Sequence, residues 1–392
     1  MMKRFFRVSL LLCVGAVLLG ALSLTTRGAM AAALSEKGFQ NQFSSNTCGM
    51  WSVVSSPNVP NVSNGLSGVA AVSATDAWAV GSSGSQSSSG QTLIEHWNGS
   101  QWQIVTSPNP SSIYNTLYAV TAVSVTDVWA VGYDANPSGA TQTLIEQWNG
   151  MQWSVVKSPS PASVDNELFS VTAVSVRNIW AVGFSASNTS EQTLIEHWNG
   201  TRWSVVKSPS PGSNDVLSGV AAVSATNVWA VGASNTMSQT LIEHWNGTRW
   251  SVAKSPNPGS GGVLTAVADV STSNVWATGY YTKSNSSQQT LVEHWNGTRW
   301  QVVTSANVGM HPALWGVVAV SARDVWAVGS NGNSKVFDKP LTEQWNGTQW
   351  SVVKSPSPGS FSTQLESAAA TSATDVWAVG HADNNTLIEY YC

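Results

Sequence analysis

Apolar and β-branched residues occur along this chain in short runs of strand length, separated by segments rich in serine, glycine, asparagine and proline. In one representative unit, four such runs follow one another, and each is rich in strand-forming residues: 117–124, 128–132, 143–148 and 152–157. The last two runs are joined by Asn149-Gly150, a strong hairpin signal because a type I′ turn needs positive φ at both central residues. The pattern predicts an antiparallel sheet of four strands.

This unit recurs seven times, and tryptophan occurs at the same position in each copy. A W-[SQ]-[VI]-[VA] segment opens at intervals of 47 to 51 residues, at Trp51, Trp102, Trp153, Trp203, Trp250, Trp300 and Trp350. Seven sheets of four strands predict an all-β fold, a seven-bladed β-propeller. Small residues recur on the strand expected to be innermost: Gly68, Ala119, Ser170, Gly219, Ala266, Gly316 and Ser367. An open β-solenoid is the alternative, and the chain ends argue against it.

The two ends supply complementary parts of one sheet. The repeats begin with a lone fourth strand at Trp51, and the chain stops at Cys392 after a third strand. Pairing these strands would close the ring. Alignment with the other repeats places Cys48 and Cys392 on adjacent turn positions, so we predict a disulfide between them. Two unrelated thiols are the alternative.

The N-terminal region resembles an export signal. Three basic residues precede the apolar run 8–24, and small residues follow at 29–33. We expect a cleaved signal peptide over 1–33, a polar linker over 34–47 and the propeller over 48–392, which gives a secreted protein. The alternative is an uncleaved anchor, since a membrane span needs about 20 apolar residues. A net charge of −4 gives no electrostatic case for nucleic acid.

The VWAVG and E-x-W-N-G-T-x-W segments resemble secreted bacterial propeller repeats of the kelch and galactose-oxidase-central-domain kind. They are also similar to repeats of photosystem assembly-factor and sialidase-type propellers. The chain departs from these patterns, because it lacks the Gly-Gly doublet of true kelch repeats and the full Asp-box of sialidases. The resemblance therefore implies architecture, and no catalytic residue is carried over.

The long loops between second and third strands and between fourth and first strands vary among the repeats, and strand polarity places both kinds on one face. Two variable strand positions adjoin this face, and aromatic residues collect there. Exposed rings beside small polar groups suit sugar rings. We expect a ligand site formed by the following residues: Tyr118, Tyr133, Phe184, Tyr280, Tyr281, His311, Trp315, Glu366 and His381. The alternative is that these rings fill a narrow channel or cover neighbouring loops.

Residues that recur in the same place are assigned to the scaffold. Seven third-strand glutamates resemble a catalytic ring, but their repetition indicates structure, with a cross-strand Trp, Arg or Lys as the expected partner: Glu95, Glu146, Glu196, Glu243, Glu293, Glu343 and Glu389. The neighbouring histidines are replaced by glutamine or tyrosine in three repeats, which a metal ligand would not tolerate.

The sequence predicts a non-catalytic, monomeric binding module with no cofactor and no metal. Extracellular glycan is the favoured ligand, and a protein partner at the cell surface is the alternative. A glycosidase or lyase is the rival from outside the binding class, with Glu366, His381 and Asp383 as the best local acid–base cluster.

Overall fold

The structure is a computed structural model that describes residues 48–84, 89–283, 287–306, 308–333 and 336–392. The signal peptide and linker predicted for 1–47 lie outside the described residues. In the described part of the chain all regular structure is β, and 28 strands form seven antiparallel sheets of four. The predicted seven-bladed propeller is confirmed.

Each blade is one sheet, and in blades 1 to 6 the strands are ordered as they occur in the sequence. Blade 1 comprises β2 (Ser63–Ser73), β3 (Asp76–Gly84), β4 (Gln91–Trp97) and β5 (Trp102–Ile104). Blade 2 comprises β6 (Tyr114–Ser124), β7 (Asp127–Ala135), β8 (Thr141–Trp148) and β9 (Trp153–Val155). Blade 3 comprises β10 (Asp165–Ser175), β11 (Asn178–Ala186), β12 (Glu191–Trp198) and β13 (Trp203–Val205). Blade 4 comprises β14 (Val216–Ser224), β15 (Asn227–Ser234), β16 (Gln239–Trp245) and β17 (Trp250–Ala253).

The second half of the ring follows the same plan. Blade 5 comprises β18 (Gly261–Ser271), β19 (Asn274–Thr282), β20 (Gln288–Trp295) and β21 (Trp300–Val302). Blade 6 comprises β22 (Ala313–Ser321), β23 (Asp324–Asn333), β24 (Val336–Trp345) and β25 (Trp350–Val352). Blade 7 comprises β26 (Thr363–Ser372), β27 (Asp375–Ala382), β28 (Asn385–Tyr391) and β1 (Trp51–Val54). First strands of successive blades contact one another, and β2 contacts β26, so these strands surround the central channel.

Ring closure follows the predicted route. Strand β1 pairs antiparallel with β28, with Trp51 opposite Tyr391, and so completes blade 7 from both ends of the chain. The Gly49 N–H donates to the Cys392 carbonyl oxygen, which holds the two terminal segments together. Both cysteines are thiols in this structure, and a hydrogen bond with Cys48 raises the pKa of Cys392. The two cysteines are neighbours, and their disulfide stays a prediction.

The third-to-fourth-strand hairpins differ in detail from the predicted type I′ turn. Trp148 pairs with Trp153, which leaves a four-residue loop in which Gly150 has φ +90° and Asn149 keeps negative φ. The Asn149 side-chain oxygen accepts hydrogen bonds from the backbone N–H groups of Met151 and Gln152. The asparagine therefore acts through its side chain, as in an Asx turn, and only the glycine needs the left-handed region.

A β-bulge recurs in the innermost strand of every blade, opposite the glycine of W-A-V-G, which reads W-A-T-G in blade 5. In blade 2 the register passes from Leu117–Gly132 to Ala119–Val131, so Tyr118 has no partner across the pair. A Cβ on Gly132 would overlap the Thr116 carbonyl oxygen, and the equivalent glycines of the other blades meet the same obstruction. The repeated glycine thus permits a bulge that re-aims one side chain per blade.

Tryptophans join neighbouring blades. The second-strand Trp78 of blade 1 is almost fully buried and packs against Trp148 and Trp153 of blade 2. At all seven interfaces the second-strand tryptophan of one blade packs edge-to-face against the fourth-strand tryptophan of the next blade. The ring centroids are 5.3 to 5.6 Å apart and the interplanar angles are 72 to 89°. Between blades 6 and 7, Tyr391 takes the place of the third-strand tryptophan beside Trp326. Each blade therefore buries its apolar faces only against its neighbours.

The seven glutamates are buried in the scaffold, and six of them accept a hydrogen bond from a serine, a partner other than the expected one; Glu196 shows no such bond among the described residues. Glu146 lies opposite Val155 and is fully buried, and Ser107, which follows the outer strand of the preceding blade, donates a 2.8 Å hydrogen bond to it. The Ser107 hydroxyl also bonds to Thr92 of its own blade at 2.7 Å. The serine of the Ser-Pro segment thus links two blades. Desolvation raises the pKa of Glu146 to about 8, although the Ser107 bond lowers it, so the carboxyl is neutral near pH 7.

Candidate functional site

The seven bulged residues form a ring around the central channel. All keep partial exposure although they lie on innermost strands, whereas the leucine before each is essentially inaccessible. Because the only solvent beside an innermost strand is that of the channel, these side chains face it. We call these seven residues the channel ring: Ser67, Tyr118, Phe169, Ser218, Thr265, Trp315 and Glu366.

A second set of side chains stands behind this ring. They follow W-A-V-G on the second strands, and several contact a channel-ring residue. The set comprises Ser82, Tyr133, Phe184, Ala233, Tyr280, Ser330 and His381. The two variable positions chosen from the sequence therefore meet in space, and together they give each blade its own sector of the channel.

The sector of blades 2 and 3 is aromatic and largely self-packed. Tyr118 packs edge-on against Phe169 at 5.1 Å, and behind them Tyr133 and Phe184 are only 8% and 7% exposed. Tyr114, which sequence reasoning missed, stacks on Tyr133 at 5.9 Å. Burial raises the pKa of Tyr118 well above its ordinary value, and Tyr133 and Glu167 add to that shift. In this sector the rings pack mainly against one another and fill the space between the strands.

The sector of blades 5 to 7 combines an aromatic face with polar groups. Trp315 packs edge-on against Tyr280 at 5.7 Å and donates its indole N–H to the Ser330 hydroxyl at 3.3 Å. Thr265 of blade 5 donates to the Leu314 carbonyl at 2.7 Å, which ties the backbone beside Trp315 to the neighbouring blade. These contacts orient the indole while leaving it partly accessible.

Glu366 is the neighbour of Trp315 around the ring. A Cβ on Gly316 would lie 3.0 Å from the Glu366 carbonyl oxygen, so the two bulges are side by side. The Glu366 carboxylate accepts a 2.7 Å hydrogen bond from the Gln364 amide and lies 4.0 Å from Nδ1 of His381. Gln364 was missed because its position carries unrelated residues in the other repeats. Gln364 is recognised as part of the site only from the strand register, which pairs it with His381.

Burial sets the charge states of this pair. Desolvation raises the pKa of Glu366 to about 7, although the Gln364 hydrogen bond lowers it. Desolvation also lowers the pKa of His381, against a smaller opposing effect of Asp383. The imidazole is therefore neutral near pH 7, while the carboxyl is poised between its two forms.

Asp383, the third member of the expected acid–base cluster, holds a loop. It accepts hydrogen bonds of 2.8 to 2.9 Å from the backbone N–H groups of Ser360, Phe361 and Ser362. Desolvation opposes ionisation, but these bonds and His381 lower the pKa of Asp383 overall. Its oxygens secure the segment before β26, and Glu366 and His381 remain as the acid–base pair.

Two residues predicted for the site lie elsewhere. Tyr281 packs on the apolar cluster between blades 4 and 5, opposite Gly262, because adjacent strand residues point to opposite faces and Tyr280 takes the channel side. His311 is exposed in the loop before β22, with φ +57°. It therefore belongs to the loop face, and the channel wall of blade 6 is formed by Trp315 and Ser330.

The scaffold histidines are also accounted for. His96 stacks on Trp78 at 4.1 Å and bonds to Asp76 at 3.0 Å, and the other three repeat this with an asparagine partner. Across the described residues, no group of three or more His, Cys, Asp or Glu side chains could hold a metal ion. The same residues include no helix long and apolar enough to cross a membrane.

The fold and the channel define a seven-bladed propeller with one aromatic, space-filled sector and one mixed aromatic and acidic sector. No known protein-family profile matches the chain, and no curated protein matches its sequence. Solved structures do share the fold. One is YCF48 bound to a D1 peptide, with a TM-score of 0.55 and 13% identity over 87% of this chain and 95% of that one.

Two carbohydrate-active enzymes share the fold as well. A PL25 ulvan lyase, bound to a GlcA(1-4)Rha3S repeat, has a TM-score of 0.52 and 10% identity over 84% of this chain and 94% of that one. The GH74 xyloglucanase from Xanthomonas campestris has a TM-score of 0.53 and 11% identity over 86% of this chain and 53% of that one. At these identities the likeness is one of fold.

Proposed function

We propose that this protein is a carbohydrate-binding propeller and that the sector of blades 5 to 7 holds the glycan. The observation that carries the proposal is the adjacency of Trp315 and Glu366 in the channel ring. A partly exposed indole offers an apolar face for a sugar ring, and the carboxyl beside it accepts hydrogen bonds from hydroxyl groups. Propeller neighbours that act on polysaccharides are consistent with this ligand class.

The sector supports binding better than hydrolysis. A two-carboxylate glycosidase needs a second acid about 5 to 10 Å from the first. The acid nearest in the blade, Asp383, is committed to three backbone N–H groups. The extracellular location depends on the export signal predicted from the N-terminal sequence, and it forms part of this proposal.

A glycan-array screen of residues 48–392 tests the proposal, with product analysis on every hit. We expect binding without turnover. Trp315→Ala should weaken binding about tenfold or more, since it removes the stacking face. Tyr133→Phe is the matched control, because that ring lies in the space-filled sector. Equal binding by the parent and Trp315→Ala, both folded by thermal melting, would refute the site.

A protein partner is the second candidate, favoured by apolar side chains on the loop face. Phe361, Met310 and Ile113 are 64%, 59% and 45% exposed in loops that lead into innermost strands. Scattered exposed apolar residues are common on protein surfaces. Phe361→Ala distinguishes the two functions: it should leave glycan binding intact and weaken a protein complex that spans the loop face.

A further inference from the structure

One of the seven channel-ring residues has a charged side chain. Six of the ring positions carry hydroxyl or aromatic side chains, and the seventh is Glu366. Described arginines lie at the other end of the blades: Arg177 packs against the hairpin at Gly200, and Arg323 against the hairpin at Gly347. The sector therefore has a negative group and no cation on its own channel-ring positions.

Among the residues that the structure describes, no lysine or arginine forms an ion pair with the Glu366 carboxylate. Its hydrogen-bond donor is the neutral Gln364 amide, and its ion-pair neighbour His381 lies 4.0 Å away with a depressed pKa. Yet a quarter of the Glu366 side chain is accessible from the channel. An enclosed carboxylate without a cation gains more from a bound positive charge than one in open water does.

The aromatic residues beside Glu366 also favour a bound cation. Trp315 is the adjacent ring residue, and Tyr280 packs against it at 5.7 Å. The face of an indole or phenol attracts a cation, most strongly where water is excluded. An aromatic face next to a carboxylate is the arrangement that recognises an ammonium group, whereas a ligand carboxylate or sulfate would be repelled by Glu366.

We propose that this sector selects a ligand with a positively charged amino group, so that among glycans it takes those with free amino sugars. The selection rests on the proposed carbohydrate function and deepens it. The ammonium would sit between Glu366 and the Trp315–Tyr280 pair, and the Gln364 amide would hold the carboxylate in place. N-acetylation of the sugar removes the charge and with it the basis of the preference.

The test compares glucosamine oligomers with N-acetylglucosamine oligomers of equal length, by calorimetry near neutral pH. We expect the amino form to bind about tenfold more tightly or better, as for a charge-assisted contact. Glu366→Gln should reduce this preference to about threefold or less while keeping residual binding of the acetylated form, because it removes the charge and preserves the shape. Glu191→Gln, a change of equal charge on a partly exposed loop-face residue, should leave the preference intact and so exclude a bulk charge effect.

The outcomes separate the two proposals. Equal or tighter binding of the acetylated oligomer, or a preference that survives Glu366→Gln, would overturn the amino-sugar inference. Binding of other neutral glycans on the array, with neither oligomer bound, would overturn the inference and leave the carbohydrate function standing. If the parent protein binds no glycan on the array, both the amino-sugar inference and the carbohydrate function are overturned.

Discussion

Replacing one buried interblade glutamate by glutamine should flatten the dependence of stability on pH. Glu146 is fully buried, and desolvation raises its pKa from about 4.5 to about 8. Between these values the unfolded chain has released the proton while the folded protein still holds it. The contribution is therefore fully present below pH 4.5 and is lost as the pH rises towards 8.

The size of the effect follows from proton linkage. A difference of one bound proton changes the free energy of unfolding by about 1.4 kcal/mol per pH unit. Over the interval from pH 4.5 to 7 the loss from this one group is about 3 kcal/mol. Glu146→Gln carries no titrating proton, and its amide oxygen can still accept from Ser107. The free-energy difference between variant and parent should therefore grow by about 1.4 kcal/mol per pH unit in favour of the variant.

Urea unfolding followed by tryptophan fluorescence, at several values between pH 5 and 8, measures this difference. Ser107→Ala is the matched control: it removes the hydrogen bond but keeps the carboxyl, so the protein should be less stable at every pH and keep the slope. Parallel curves for Glu146→Gln and the parent would refute the reasoning, because they would show that Glu146 ionises alike in the folded and unfolded states.

Two further changes test the fold. Gly132→Ala should destabilise the protein by about 3 kcal/mol or more, since the new Cβ overlaps the Thr116 carbonyl oxygen in the bulge. Gly139→Ala, at a glycine with open space around it but positive φ, should cost less, and a reversed order in the melts would contradict this account. Cys48→Ser should lower the melting temperature of oxidised protein. The corresponding loss in the free energy of unfolding has an upper bound of roughly 5 kcal/mol from loop closure. Cys392→Ser should match it, and reductant should bring the parent to the same value. A parent that is insensitive to reductant would argue against the disulfide.

Much of the fold could be read from the sequence because it is repeated. Seven copies of the same four runs leave few alternatives, and the lone strand at Trp51 with the missing strand after Tyr391 specifies closure. Strand bounds were less accurate. The first strand of blade 2 begins at Tyr114, where 117 was predicted, because backbone pairing with Ala135 continues into polar residues that carry no apolar signal.

The candidate site was only partly accessible to such reasoning. Comparing the repeats identified the variable positions of Tyr118, Trp315 and Glu366. It did not show that these residues occupy bulges, because a bulge depends on where the facing strand places its glycine. It also did not show that Tyr281 faces the core, since the register of β18 and β19 decides this.

The sequence by itself determined the number of blades, their closure and which residues vary. Local strand patterns and hairpin signals are properties of short segments, so they are legible along the chain. Only the tertiary structure decided which buried groups meet: the serine that joins Glu146 to the preceding blade, and the indole and carboxyl that share a channel wall. These contacts join residues about 40 to 50 positions apart in different blades. Their energies depend on burial, which no linear pattern specifies.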